Sequence, residues 1–191
     1  AALVAVGSIS PLWKRNLSRT PLFTWGMVVA HLGCAICVAG MACDSAFTRE
    51  SMVAVAIGDT RPIGPFTVTL EQVRERPGPN YQILEALLSV RYGSEAPFTM
   101  SPQLHAFSEP QMTTNQAAIK TFWNGQLYLV LGEQSDGAQW LLRMWWKPFV
   151  TLIWLGGGMI ALGGTLSLLG RVRREHRRDA AMPEPVAGRP A

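Results

Sequence analysis

A single histidine, His31, stands inside a long uncharged run, VVAHLGCAICVAG at residues 28–40. An imidazole carries a donor and an acceptor, and both are costly to leave unpaired in an apolar environment. Three arrangements would satisfy the ring: a hydrogen bond to a neighbouring helix, a place in a proton relay, or coordination of a metal. In a membrane, haem iron is the natural candidate, because the macrocycle is apolar and histidine supplies an axial nitrogen. His31 is therefore a candidate haem and metal ligand, with the other two roles left open.

A pair of cysteines follows His31 closely, as Cys34-Ala35-Ile36-Cys37. Covalent haem attachment uses C-x-x-C-H, in which the histidine follows the second cysteine, whereas His31 precedes the first. A redox pair would need an exposed, electropositive site. We therefore interpret the two cysteines as small packing residues. The third cysteine, Cys43, ends the same run, so the middle of the chain has no cysteine with which to form a disulfide.

Two long stretches, residues 21–43 and 148–170, contain no Asp, Glu, Lys or Arg. A helix that crosses the hydrocarbon core needs roughly 20 such residues, and a buried helix of a soluble protein is rarely apolar for so long. Tryptophans cluster near the ends of both stretches, where amphipathic rings prefer the headgroup region. These are Trp13, Trp25, Trp145, Trp146 and Trp154. We predict two transmembrane helices.

Basic residues flank both predicted helices on their outer sides. Lys14, Arg15 and Arg19 come before the first helix, and residues 171–178 after the second contain five arginines. The positive-inside rule then predicts that both flanks are cytosolic and that residues 44–147 are extracytoplasmic. Topology thus explains the pI near 9.3, which gives no reason to propose a nucleic-acid partner.

The two ends of the chain differ in character. Residues 1–9, AALVAVGSI, resemble the end of an earlier apolar helix that stops near Pro11, with a basic loop up to residue 20. This pattern predicts that the chain is the C-terminal part of something longer. Residues 171–191 form a basic tail rich in Pro and Ala near its end, and we expect it to be disordered.

Short strand-like runs fill residues 44–147. MVAVAI (52–57) and FTVTL (66–70) are separated by Gly and Pro turn signals, as a half-buried sheet requires. Asn124-Gly125 lies between two apolar runs and predicts a hairpin whose two central residues both have positive φ. About seven strands predict a small all-β domain, a sandwich or an open barrel. The predicted fold is a membrane protein in which α-helical transmembrane segments flank this domain.

No catalytic set can be assigned within the β domain. His105 is its single histidine, and the sequence favours a surface or loop position for it. In the first apolar run, small residues recur every three or four positions, which predicts close approach of another helix. They are Gly26, Ala30, Gly33, Cys37 and Gly40. His31 adjoins this stripe, so a haem bound there would lie between helices and take its second ligand from elsewhere.

Six short motifs occur in an order and spacing that resemble the C-terminal end of the CcmF family, the cytochrome c haem lyases of bacterial cytochrome maturation. The likeness runs from about Lys14 to Arg171. The motifs are AHLG (30–33), GPNY (78–81), QAAI (116–119), LYLVLGE (127–133), RMWWKPFV (143–150) and IWLGG (153–157).

The resemblance implies that His31 corresponds to a transmembrane histidine that binds a structural b-type haem. It implies a multi-pass protein of the bacterial inner membrane whose middle domain faces the periplasm. Its expected partners are the haem chaperone CcmE, apocytochrome c and other membrane subunits of the maturation system. The family's substrate-handling residues lie upstream of the matched region, so no catalytic residue is assigned here, and this fragment alone is not expected to be catalytically competent.

One stretch departs from the family pattern. Where the family carries P-E-K-R-x-Y and then T-E-A-A-I, this chain reads PQLHAF at residues 102–107 and NQAAI at residues 115–119. Four positions that are charged in the family therefore carry a neutral residue or a histidine in this chain. The alternative function is a non-enzymatic, membrane-anchored assembly module whose β domain recruits maturation partners, with His31 hydrogen-bonded between helices.

Overall fold

A computed structural model describes residues 1–13, 17, 20–135 and 138–179 of the chain. These residues form two compact units, one made of Ala1–Met41 and Leu152–Ala191 and the other of Ala42–Thr151. Lys14, Arg15, Arg19 and the predicted tail beyond residue 179 lie outside the described residues.

The first unit is helical. Helix α1 spans Ala2–Ile9 and continues as a 3₁₀ turn at Ser10–Leu12, which agrees with the predicted stop near Pro11. Helix α2 spans Leu22–Phe47 and helix α3 spans Thr151–Asp179. Both are long and apolar enough to cross a membrane. Disorder from residue 171 was a wrong expectation for residues 171–179, because Arg and Glu are good helix formers and simply extend α3 beyond its apolar run.

Helices α2 and α3 pack through the small residues that the sequence singled out. A Cβ placed on Gly33 would lie 2.7 Å from the Gly156 carbonyl oxygen, and one placed on Gly156 would lie 2.6 Å from the Gly33 carbonyl oxygen. The Cys37 thiol donates a hydrogen bond to the Ile153 carbonyl oxygen at 3.2 Å. The packing interpretation of the stripe and of Cys37 is therefore confirmed, while Cys34 is exposed on α2.

The second unit is an antiparallel β-sandwich. One sheet has the order β1-β10-β9-β8, and the other has the order β2-β3-β4-β6-β7 with β5 paired to β4. The described residues thus contain ten strands rather than about seven, since several predicted loops are short strands. They are β1 Arg49–Val55, β2 Thr60–Ile63, β3 Phe66–Pro77, β4 Tyr81–Tyr92, β5 Phe98–Met100, β6 Gln103–Phe107, β7 Met112–Gln116, β8 Ala118–Phe122, β9 Gly125–Ser135 and β10 Gln139–Pro148.

The sandwich core lies between the two sheets. Along each core strand, side chains that point into the core alternate with side chains that point outward. On β9, Leu127, Leu129 and Leu131 point inward and are fully buried, as are Leu88 and Val90 on β4. Burying a side chain of this size contributes about 1.5–3 kcal/mol. All three cysteines are free, so apolar burial rather than a disulfide stabilises this unit.

The Asn124-Gly125 hairpin exists, but its predicted geometry is wrong. Phe122 pairs directly with Gly125, so Trp123 and Asn124 form the two-residue turn. Neither Asn124 nor Gly125 has a positive φ. Glycine is required at position 125 for another reason: a Cβ there would lie 2.6 Å from the Lys147 carbonyl oxygen. The residue allows close contact with β10, which a local turn rule cannot reveal.

Two of the predicted interfacial tryptophans belong to the sandwich instead. Trp145 and Trp146 lie in β10, and Trp146 is only 6% exposed, with its ring 5.0 Å from that of Phe66. The run WLLRMWW alternates, which sends residues 142, 144 and 146 into the core. Trp13 and Trp154 are strongly exposed in the helical unit, in keeping with the interfacial prediction.

Candidate functional site

His31 lies in the middle of α2 with its side chain exposed. Its Nδ1–H donates a hydrogen bond to the Met27 carbonyl oxygen, one turn earlier, at 2.8 Å. A carbonyl oxygen can only accept, so this contact sets the tautomer and leaves the lone pair of Nε2 available. Across the described ranges the ring makes no other hydrogen bond, so the interhelical bond that the alternative function requires is not formed there.

The imidazole borders an open cleft of about 180 Å³ between α1 and α2. The other lining residues are Gly7, Ser8, Pro11 and Met27. Gly7 has open space at the position that a Cβ would take. The Ser8 hydroxyl donates a hydrogen bond to the Val4 carbonyl oxygen at 2.5 Å. His31 therefore faces α1, on a different side of α2 from the glycines that contact α3, so the expectation that it adjoins the small-residue stripe was wrong.

The arrangement suits a metal ligand. Histidines that bind metals almost always donate their second ring N–H to a carbonyl or carboxylate, which fixes the ring and raises the basicity of the ligating nitrogen. Within the part of the chain that the structure describes, no group of three or more His, Cys, Asp or Glu is placed to hold a bare metal ion. From those residues His31 would thus offer one nitrogen donor, and haem iron is a metal centre that a single histidine of a helix can hold.

His105 is not at the surface or in a loop, as the sequence suggested. It lies in β6, is only 7% exposed, and stacks on the Tyr81 ring with centroids 4.7 Å apart. Its Nε2–H donates to Gln103 Oε1 at 3.1 Å, and the Gln103 amide donates in turn to Glu85 at 3.1 Å. Tyr81 comes from β4, so no local pattern could have shown that it covers His105.

This network includes two of the altered positions of the PQLHAF stretch, Gln103 and His105. Glu85 is largely buried and also pairs with Arg76 Nη2 at 3.3 Å. Gln103 and His105 therefore bind partners within their own sheet, on the side that faces away from the sandwich core. We find no arrangement of nucleophile and base around them.

On the outer face of the other sheet, Glu50 and Arg143 form an ion pair at 2.7 Å. The Arg143 guanidinium also stacks on the Trp145 ring, 4.5 Å from its centroid. The hydrogen bond from Arg143 lowers the pKa of the Glu50 carboxyl below its ordinary value, with smaller contributions from the Arg143 charge and from Trp145. Charge pairing in the folded state thus favours ionised Glu50.

A lowered folded-state pKa has a defined consequence for stability against pH. The contribution of Glu50 is complete above the unfolded pKa of about 4.3 and is lost as pH falls through the lower folded pKa. Arg143→Gln should therefore reduce the thermal midpoint of the purified protein at pH 6 and have less effect as pH falls below 4. Arg91→Gln removes an exposed charge without an ion pair in the described residues and should show no such trend. Equal pH dependence in both variants would contradict the assignment.

The fold and the site define a class: a membrane protein in which two apolar helices flank an antiparallel β-sandwich and the first of these helices carries an exposed histidine. A family described as CcmF C-terminal beta-sandwich matches residues 46–148. The chain therefore belongs to the CcmF family, as the sequence motifs had indicated.

Several curated relatives extend this match over most of the chain. The cytochrome c-type biogenesis protein ccl1 of Rhodobacter capsulatus is 33% identical over 97% of this chain and 30% of its own length. The CcmF proteins of Haemophilus influenzae and Escherichia coli are 33% and 32% identical, over 82% and 88% of this chain. The chain spans 24% and 26% of those two proteins.

A solved structure, described as cytochrome c heme lyase CcmF, has the same fold with a TM-score of 0.71. It is 20% identical and covers 86% of this chain, which corresponds to 28% of that protein. At this identity the likeness concerns the fold alone. The predicted class, membrane helices around a small β-sandwich, is confirmed.

Proposed function

We propose that this chain is the C-terminal portion of a cytochrome c haem lyase and that His31 is an axial ligand of a b-type haem in the membrane. The observation that carries the proposal is the His31 ring itself, held by the Met27 carbonyl oxygen through Nδ1 with Nε2 left to bind. The names of the curated relatives, cytochrome c-type biogenesis proteins, support the same assignment.

Each residue at the cleft has a part in this proposal. His31 supplies one nitrogen ligand, the Met27 carbonyl orients the ring, and Gly7 leaves open space on α1 beside it. A bound haem would supply a one-electron redox centre within the membrane. His31 is the single histidine of the two apolar stretches, so these stretches would supply one histidine ligand to the haem.

The β-sandwich is proposed to lie in the periplasm of a bacterial inner-membrane protein and to receive partners there. The arginines that end α3 support this orientation, because basic flanks stay cytosolic. On the outer face of the four-stranded sheet, Met52 and Ile119 are each 54% exposed and could contact a partner. The proposed partners are the haem chaperone CcmE, which delivers haem, and apocytochrome c, which receives it through thioether bonds.

The test is to purify the full protein from a haem-replete host and record the absorption of its pyridine haemochrome. We expect the spectrum of non-covalent b-type haem, together with co-purification of the haem chaperone. A c-type spectrum would contradict the haem assignment. Recovery of the chaperone by a protein without pigment would instead favour the assembly-module alternative.

A further inference from the structure

Three arginines of α3 converge on the start of α2 and border a second, larger cleft of about 840 Å³. Arg173, Arg174 and Arg177 lie on the same face of α3 as Gly170, at spacings of three and four residues. The other wall comes from Pro21, Leu22 and Phe23. All of the residues that line the cleft belong to the helical unit.

The cleft is strongly positive. Within the described residues, none of the three guanidinium groups forms an ion pair with a carboxylate. The first turn of α2 contains no acidic residue, so the positive end of its macrodipole adds to the same potential. Three cations without a carboxylate partner among the described residues, together with a helix N-terminus, favour an anion at this opening, and guanidinium groups match phosphate oxygens well.

The wall of the cleft formed by Pro21, Leu22 and Phe23 is apolar and packs closely against α3. The Phe23 ring lies 5.8 Å from the Arg174 Cζ, within range of a cation–π contact. A Cβ on Gly170 would lie 2.6 Å from the Phe23 backbone nitrogen, so the glycine lets α3 reach the α2 terminus. Leu22 and Phe23 begin one of the two helices that can cross a membrane. A ligand that satisfies both walls needs an anionic head and an apolar body.

We propose that this arginine cleft, lined by Arg173, Arg174 and Arg177, binds the phosphate headgroup of an anionic phospholipid. The phosphate lies among the guanidinium groups and the acyl chains follow Leu22 and Phe23 into the bilayer. A free inorganic phosphate would use the arginines but gain nothing from the apolar wall. The site is independent of haem, because His31 borders a different cleft.

The test uses the full protein in a neutral detergent, with native mass spectrometry to measure binding of added phosphatidylglycerol. Arg174→Gln should weaken binding about fivefold, which corresponds to the roughly 1 kcal/mol that one basic residue contributes near a lipid surface. Arg177→Gln should cause a similar loss and serves as a second variant. Arg171→Gln is the matched control, because it removes one charge from the same end of α3 without bordering the cleft. It should leave the affinity unchanged.

Two further measurements distinguish a lipid headgroup from free phosphate as the bound anion. Phosphatidylcholine should bind the unaltered protein more weakly than phosphatidylglycerol, and millimolar inorganic phosphate should fail to displace the bound lipid. Displacement by phosphate would show a site for a free anion and overturn the proposal. Equal losses in Arg171→Gln and Arg174→Gln would also overturn it, since arginines that simply reach into the headgroup layer would then explain the binding.

Discussion

Replacing His31 with alanine in the full protein should remove the proposed b-type haem. The variant would lose the proposed iron–nitrogen bond, and no other histidine lies in the two apolar stretches of this chain to replace it. Even the loss of an outer-shell hydrogen bond at a metal site typically costs 10–100-fold in affinity, so loss of the ligand itself should lower haem content by about tenfold or more. The measurement is the Soret absorbance relative to protein.

The chain provides a matched control for this experiment. His176 on α3 makes the same local contact, with Nδ1–H donating to the carbonyl oxygen of Val172 four residues earlier at 3.1 Å. It lies among the arginines beyond the apolar part of α3 rather than within an apolar run. His176→Ala should therefore leave haem content unchanged. An unaltered Soret band in His31→Ala would exclude this histidine as a ligand.

Replacing Gly156 with alanine should separate helices α2 and α3. The new methyl group would lie 2.6 Å from the Gly33 carbonyl oxygen and 2.7 Å from the Cys37 backbone nitrogen. Backbone atoms cannot move aside as a flexible side chain can, so the helices must shift. Overpacking of this kind typically costs about 1–3 kcal/mol. The expected result is a lower midpoint in thermal unfolding of the full protein in detergent.

The adjacent glycine gives the opposite expectation. Gly157 has no atom within 4 Å of the position that a Cβ would take. Gly157→Ala should be neutral or should stabilise α3 by up to about 1 kcal/mol, because alanine is the better helix former. An equal decrease of the thermal unfolding midpoint in both variants would mean that the loss of glycine flexibility, rather than a clash between the helices, causes the destabilisation.

Much of this architecture could be predicted from local patterns. The two apolar runs are long enough to cross a membrane as helices, and the period of small residues identifies the face of α2 that packs. Alternation in FTVTL and LYLVL likewise predicts strands, because side chains on a strand point to opposite sides. The family motifs added the expected ligand role of His31, which composition alone left among three possibilities.

Other features depend on residues that meet only in the folded chain. Trp146 comes just before an uncharged stretch, as an interfacial residue would, yet it is buried because β10 brings it against Phe66, 80 positions earlier. His105 is covered by Tyr81 from the neighbouring strand, and Gly125 is needed because β10 approaches it. In each case the decisive contact comes from another strand, so hydropathy and turn rules could not predict it.

The sequence by itself therefore determined which segments are long and apolar enough to cross a membrane, where many of the strands lie and which imidazole lies within an apolar run, because each depends on the spacing of neighbours along the chain. Only the tertiary structure decided how that imidazole is oriented and that α3 supplies three arginines to the start of α2. The ring orientation follows from the Nδ1 bond to Met27, and the arginine cleft joins Phe23 to Arg174 across most of the chain. Such sites arise from long-range packing, which no local pattern contains.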